Sequence, residues 1–121
     1  MDGALHHVEL WVDDLAAARA TLGWLLERLG WTPYRSWEHG RSWLRAETYV
    51  VVEQSPARAS GGHDRMRPGL NHLAFHVADP EALAAEALTH GWSVRVRTAT
   101  AVHLVDGQGF EVELTAGPAG G

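Results

Sequence analysis

Hydrophobic and polar positions alternate from Leu5 to Val12, and the pattern then lengthens to a helical period with Leu15, Leu22, Leu26 and Leu29 on one stripe. Asp13 or Asp14 stands where a helix cap belongs, and Gly30 stands where the helix should stop. The same passage recurs at a constant offset of 65: Leu5–Asp14 is matched by Leu70–Asp79. There Asp79 caps, Pro80 takes the first helical position, Leu83, Ala87 and Leu88 continue the stripe, and Gly91 ends it. Short β-patterned segments follow each helix: Thr32–Trp37, Ser42–Ala46 and Thr48–Gln54, then Ser93–Arg97, Ala101–Val105 and Phe110–Thr115. His39-Gly40 and Asp106–Gly109 read as hairpin turns. Each half is therefore predicted as strand–helix–strand–strand–strand. One domain is expected over residues 1–121: module one 4–54, a Ser/Pro/Gly/Arg-rich linker 55–69, module two 70–115 and a frayed tail 116–121.

Side-chain parity divides each strand between two faces. Val8, Leu10 and Val12 lie opposite His7, Glu9 and Trp11, and Leu73, Phe75 and Val77 lie opposite His72, Ala74 and His76. In the closing strands, Val50 and Val52 oppose Tyr49, Val51 and Glu53, while Phe110, Val112 and Leu114 oppose Glu111 and Glu113. The apolar faces want the helices. The other faces carry imidazole, carboxylate and aromatic rings rather than the Lys, Thr and Arg of an ordinary solvated sheet, and so suit a cleft. Trp31–Trp43 is read as packing and hairpin support. His72 and His76 share a face but stand ~13 Å apart along a strand, too far to chelate one ion together.

Composition narrows the chemistry. With no cysteine among 121 residues, disulfide scaffolds, zinc ribbons and thiol catalysis are excluded. A formal charge of −5 argues against a nucleic-acid-binding face. No apolar run reaches the ~18–20 residues of a membrane span, and the first ten residues lack the basic start of a signal peptide. A cytoplasmic protein is expected. Eight histidines in so short a chain, with glutamates on the same strand faces, supply nitrogen and oxygen donors for a divalent ion.

Leu5–Leu15, Gly69–Asp79 and Asp106–Leu114, in this order and inside an internal repeat, resemble the vicinal oxygen chelate superfamily of glyoxalase, bleomycin resistance and dioxygenase proteins. The resemblance covers nearly the whole chain. It implies an α+β fold in which two βαβββ modules form an eight-stranded cup-shaped mixed sheet with helices on the convex face. It implies metal ligands at His7, His72 and Glu111, holding one divalent ion (Fe, Mn, Ni or Zn). Aligning the halves at an offset of 60 places Val51 opposite Glu111. The fourth ligand of glyoxalase I-like members is then missing, and a two-histidine, one-carboxylate site is expected. Extradiol-dioxygenase-like and fosfomycin-resistance-like members resemble that arrangement, although Glu9 would repel a phosphonate.

The resemblance further implies a metal-dependent enzyme, with lyase, isomerase or dioxygenase chemistry on a small substrate chelated through two adjacent oxygens. Glu113, His76 and Glu53 are the candidate proton-transfer groups, and Trp11, Glu9, Tyr49 and His103 the candidate substrate contacts. His6, His39, His63 and His90 are read as structural or solvated. A homodimer is implied, with a small molecule as partner. The alternative is a metal-free, bleomycin-resistance-like protein that sequesters a bulky or cationic molecule against Trp11, Trp37, Trp43 and Tyr49.

Overall fold

A computed structural model describes residues 2–58 and 61–117. The chain divides into two compact units, residues 1–62 and 63–121, each with its own four-stranded mixed sheet. The predicted tail falls mostly outside the described residues, since 118–121 are not described; Ala116 N–H donates to the Thr100 carbonyl at 2.9 Å.

The first unit contains β1 (His7–Val12), α1 (Leu15–Ala18), a π-helical turn (Arg19–Gly23), α2 (Trp24–Arg28), β2 (Thr32–Trp37), β3 (Gly40–Arg45) and β4 (Thr48–Gln54). Its strand order is β1-β4-β3-β2, with β1 parallel to β4 and the other pairs antiparallel. Of the two aspartates, Asp14 is the cap: its side chain accepts from Ala17 N–H at 3.1 Å. Val12, Val52, Leu25 and Leu26 are almost wholly buried, each worth roughly 2 kcal/mol relative to exposure. The single helix expected from the Leu stripe is interrupted where it passes over Trp43. A Cβ at Gly23 would lie 2.8 Å from the Trp43 ring, so only glycine permits this approach.

The second unit contains β5 (His72–His76), α3 (Pro80–Ala87), a 3-10 turn (Leu88–His90), β6 (Ser93–Arg97), β7 (Ala101–Val105) and β8 (Glu111–Thr115). The order is β5-β8-β7-β6, the arrangement of the first unit repeated. Leu83, Ala84, Ala87 and Trp92 pack with Val102, Leu104, Val112 and Leu114 in its core. Leu88 was expected on the buried stripe but is 50% exposed, because the helix tightens to a 3-10 turn there and the 3.6-residue period is lost. Both helices stop at the predicted glycines, Gly30 at φ +90° and Gly91 at φ +88°, where a Cβ would be strained.

Asp79 caps α3 through Ala82 N–H at 3.1 Å. Asp79→Ala is expected to cost about 1 kcal/mol, read as a lower midpoint in thermal unfolding. An unchanged midpoint would mean that the cap contributes nothing.

Candidate functional site

Two ladders set the site. His72 pairs with Glu111 across β5–β8, and His103 pairs with Glu113 across β7–β8. These register positions put His72, His103, Glu111 and Glu113 on one face of the second sheet, opposite the face that carries Val112 and Leu114. A register shift between Val94 and Val96 in β6 brings Val96 rather than Arg95 against His103, and the Arg95 side chain reaches Glu111.

Glu111 is buried, its side chain fully so. Arg95 grips it with two donors, Nε to Oε1 at 2.5 Å and Nη2 to Oε2 at 3.1 Å. Arg65 Nε lies 3.3 Å from Oε1, and His103 Nδ1 lies 2.8 Å from Oε2. The four lone-pair sites of the carboxylate are thus matched by four contacts. Burial pushes this carboxyl up, but the hydrogen bonds from Arg95 and His103 and the charges of Arg95 and Arg65 outweigh it and hold it below the ordinary value. The Glu111 hydrogen bond in turn raises Arg95 above its usual range.

The donor atoms that converge belong to a different trio. His72, His103 and Glu113 each offer an atom within 4.8 Å of the other two. His72 Nε2 is 3.2 Å and His103 Nε2 is 3.5 Å from the same atom, Glu113 Oε1. Their neighbours decide the ring tautomers. The Asn71 amide donates through Nδ2 to the Arg65 carbonyl at 2.9 Å, so its Oδ1 is the acceptor facing His72 Nδ1 at 2.7 Å. An ionised Glu111 likewise only accepts, so His103 Nδ1 carries the proton. In the neutral rings both Nε2 lone pairs then point toward a carboxylate oxygen. Such acceptor–acceptor approaches are relieved by a proton on Nε2 or by a metal cation between them.

The first unit presents a different surface. The His7 ring stacks on Tyr49 at 4.7 Å and 3°, with its Nδ1 2.8 Å from His6 Nδ1 and its Nε2 3.5 Å from Glu9. Trp11 is 53% exposed and donates to Glu9 at 3.3 Å, while Trp37 donates to Glu53 at 2.7 Å. Glu9, Tyr34, Trp37, Tyr49 and Glu53 line a cleft of about 400 Å³. Trp43, by contrast, is buried against the helix. His76 is exposed on β5 and lies outside the second unit's trio. Of the histidines read as structural, His63 stacks on Phe110 at 4.8 Å.

The pairing also corrects the internal alignment. His7 pairs with Tyr49 as His72 pairs with Glu111, and Glu9 pairs with Val51 as Ala74 pairs with Glu113. Tyr49 is therefore the counterpart of Glu111, and Val51 that of Glu113. The offset of 60 is short by two residues: Leu44 corresponds to Val105 rather than Leu104, and the β7–β8 connection is one residue longer than β3–β4, since Val105 pairs with Glu111 and Leu44 with Tyr49.

Arg65, Asn71 and Arg95 were not singled out from sequence. Alternation along Ser93–Arg97 could have separated Arg95 from Val94 and Val96, but nothing local marked Arg65, which lies in the stretch read as linker.

Two βαβββ units built this way, eight strands in two four-stranded mixed sheets, define the paired-module glyoxalase fold. The sequence profile of the Glyoxalase/Bleomycin resistance protein/Dioxygenase superfamily matches residues 6–112, and the chain belongs to that superfamily. A crystal structure of a candidate glyoxalase from Bacillus halodurans is 34% identical, with a TM-score of 0.85 over 94% of this chain and 96% of that one. The fosfomycin resistance protein FosX from Listeria monocytogenes, solved with Mn(II) and dihydroxypropylphosphonic acid, shares the fold at 18% identity and a TM-score of 0.67, covering 98% of this chain and 96% of its own. YqjT of Bacillus subtilis (strain 168), an uncharacterized protein, is 44% identical over 74 residues, 60% of this chain. That match spans only 58% of YqjT. Among the described residues no helix is long and apolar enough to cross a membrane.

Proposed function

We propose that the second unit binds one divalent metal ion through His72 Nε2, His103 Nε2 and Glu113, and that the protein is a metal-dependent enzyme acting on a small substrate through two adjacent oxygens. The convergence of two imidazole nitrogens on one carboxylate oxygen carries this reading. Ligand atoms ~2.0–2.2 Å from a common ion stand roughly 3.0–3.5 Å apart when they subtend ~90–110°, and the spacings of 3.2 and 3.5 Å fit. Glu113 thereby moves from proton transfer, its expected role, to ligand. Glu111, the carboxylate expected to ligate, instead orients His103, the carboxylate–histidine pairing that keeps a ligating nitrogen unprotonated. Asn71 does the same for His72.

When bound, the ion supplies Lewis acidity to a chelated substrate and stabilises negative charge that develops on its oxygens. The residues keep Nε2 lone pairs aimed inward and hold Glu111 ionised. An N/O donor set accepts Fe, Mn, Ni or Zn. FosX, on the same fold, was solved with Mn(II).

Titration of metal-free protein with Mn(II), Fe(II), Ni(II) and Zn(II) tests the assignment. One ion per chain with a Kd of about 10 μM or tighter is expected for at least one of them. Failure of all four overturns it. His7, which the resemblance adds to the ligand set, is decided by the same titration: weaker binding by His7→Ala includes it, and unchanged binding leaves the second-unit trio.

The first-unit cleft favours a second reading, sequestration of an aromatic or cationic molecule against Tyr34, Trp37 and Tyr49 with Glu9 and Glu53 beside them. Ligand binding that persists in chelator, together with failure of the metal titration, would select it.

A further inference from the structure

The first unit carries a second cleft, of about 530 Å³, between its helical segment and strands β2 and β3; it adjoins the first, sharing Tyr34, Arg35 and Ser42 with it, while Arg19 and Arg41 line this one alone. This volume lies within the ~300–1,000 Å³ typical of small-molecule sites. Three arginines line it, Arg19, Arg35 and Arg41, against one carboxylate, Glu27. The surplus of positive charge runs counter to a chain with a net charge of −5.

The arginines are not consumed by the fold. Among the described residues none of the three forms an ion pair with a carboxylate. Arg35 lies 4.6 Å over the Tyr34 ring, which fixes its plane without neutralising it. Arg41 Nη1 donates to the Trp37 and Gly40 carbonyls, each at 2.7 Å, so the group is anchored while its other nitrogens remain for a ligand. Glu27 is occupied in accepting from the Trp43 indole N–H at 3.1 Å.

A buried polar group points the same way. Ser42 is 3% exposed and lines the cleft. Its oxygen accepts from Arg35 N–H at 3.1 Å, while its own proton meets no acceptor among the described residues. An anion would take that proton. The backbone is irregular on both walls, at the π-helical turn that begins with Arg19 and at the register shift between Pro33 and Ser36. Features of this kind re-aim side chains at binding sites.

The second unit offers the contrast. Its cleft of about 270 Å³ between α3 and the β6–β7 hairpin is bordered by Asp79 and Glu81, and neighbouring Arg97 is spent on Glu81 at 3.0 Å.

We propose that the cleft lined by Arg19, Arg35, Arg41 and Ser42 binds a small organic anion, a molecule bearing a phosphate or carboxylate group, with Trp43 beneath it. The guanidinium forks match the paired oxygens of either group. This site is independent of the metal assignment in the second unit.

The test is a titration of the full chain, followed by the amide signals of Arg35 and Ser42 and the Trp43 indole signal in nitrogen–proton correlation spectra. Inorganic pyrophosphate and benzoate are the two probes, distinguishing phosphate from carboxylate recognition. Saturable shifts with a Kd of about 1 mM or below are expected for one of them. Arg19→Gln, at an exposed position, should weaken binding about tenfold with the remaining spectrum unchanged, and Arg97→Gln should have no effect. Non-saturating shifts with both probes, or equal affinity in the parent and Arg19→Gln, would mean adventitious ion contact and overturn the proposal.

Discussion

Glu113→Gln should lower divalent-metal affinity at least about 100-fold while the protein stays folded, because the exchange neutralises the one oxygen that both imidazoles face. Glu113 is partly exposed, and the exchange preserves its size, so circular dichroism and the unfolding midpoint should change little. His72→Ala should lose affinity similarly by removing a donor nitrogen. Glu111→Gln should be milder, about 10–100-fold, because it acts through the orientation of His103. This order separates ligand from positioning residue: a larger loss in Glu111→Gln than in Glu113→Gln would return Glu111 to the ligand set. Calorimetric titration of the three variants reads it, and histidine ring nitrogen shifts in metal-free protein report the His103 tautomer independently of any metal.

The same Glu111→Gln exchange is expected to destabilise the fold by about 2 kcal/mol at neutral pH, the scale for hydrogen bonds to a buried charged group. The figure stays below that of a fully buried ion pair because Arg95 and Arg65 keep part of their surface in water, 35% and 28%, and recover hydration when the carboxylate is lost. Its pH dependence has a definite sign. A carboxyl held below its ordinary value in the folded chain contributes stability that is complete above the unfolded value, near 4.5, and is lost as pH falls through the lower folded value. The unfolding free energies of parent and variant should therefore run parallel at neutral pH and converge below about pH 4.5. Denaturant melts across this range measure the gap. A gap that widens on acidification would show that Glu111 is not held ionised by its arginines.

Most of the secondary structure was legible because its signals are local. Thr32–Trp37, Thr48–Gln54, Ser93–Arg97 and Ala101–Val105 form as the alternation indicates, and Asp14, Asp79, Gly30 and Gly91 cap where a short oxygen side chain or a missing Cβ is required. Parity also placed His72 on the face opposite Leu73 and Phe75, and Glu111 and Glu113 on the face opposite Val112 and Leu114, since it depends only on counting residues along a strand.

Parity could not choose between Glu111 and Glu113. They share a face, and what distinguishes them comes from elsewhere in the chain: Arg95 across a register shift in β6, and Arg65 from a stretch that reads as a linker. The wrong internal alignment has a similar origin: Leu44 corresponds to Val105 rather than Leu104, and the β7–β8 connection is one residue longer than β3–β4, which together move Val51 from opposite Glu111 to opposite Glu113.

The repeat, the two βαβββ units, the family and the exclusion of thiolate chemistry were determined by the sequence alone, through neighbours a few residues apart and a cysteine-free composition. Tertiary structure decided which carboxylate is enclosed by arginines and which faces the imidazoles. It also decided which acceptors the ring Nδ1 atoms face and where three arginines line one cleft against a single carboxylate. These depend on cross-strand register and on charges distant along the chain, so no local pattern encodes them.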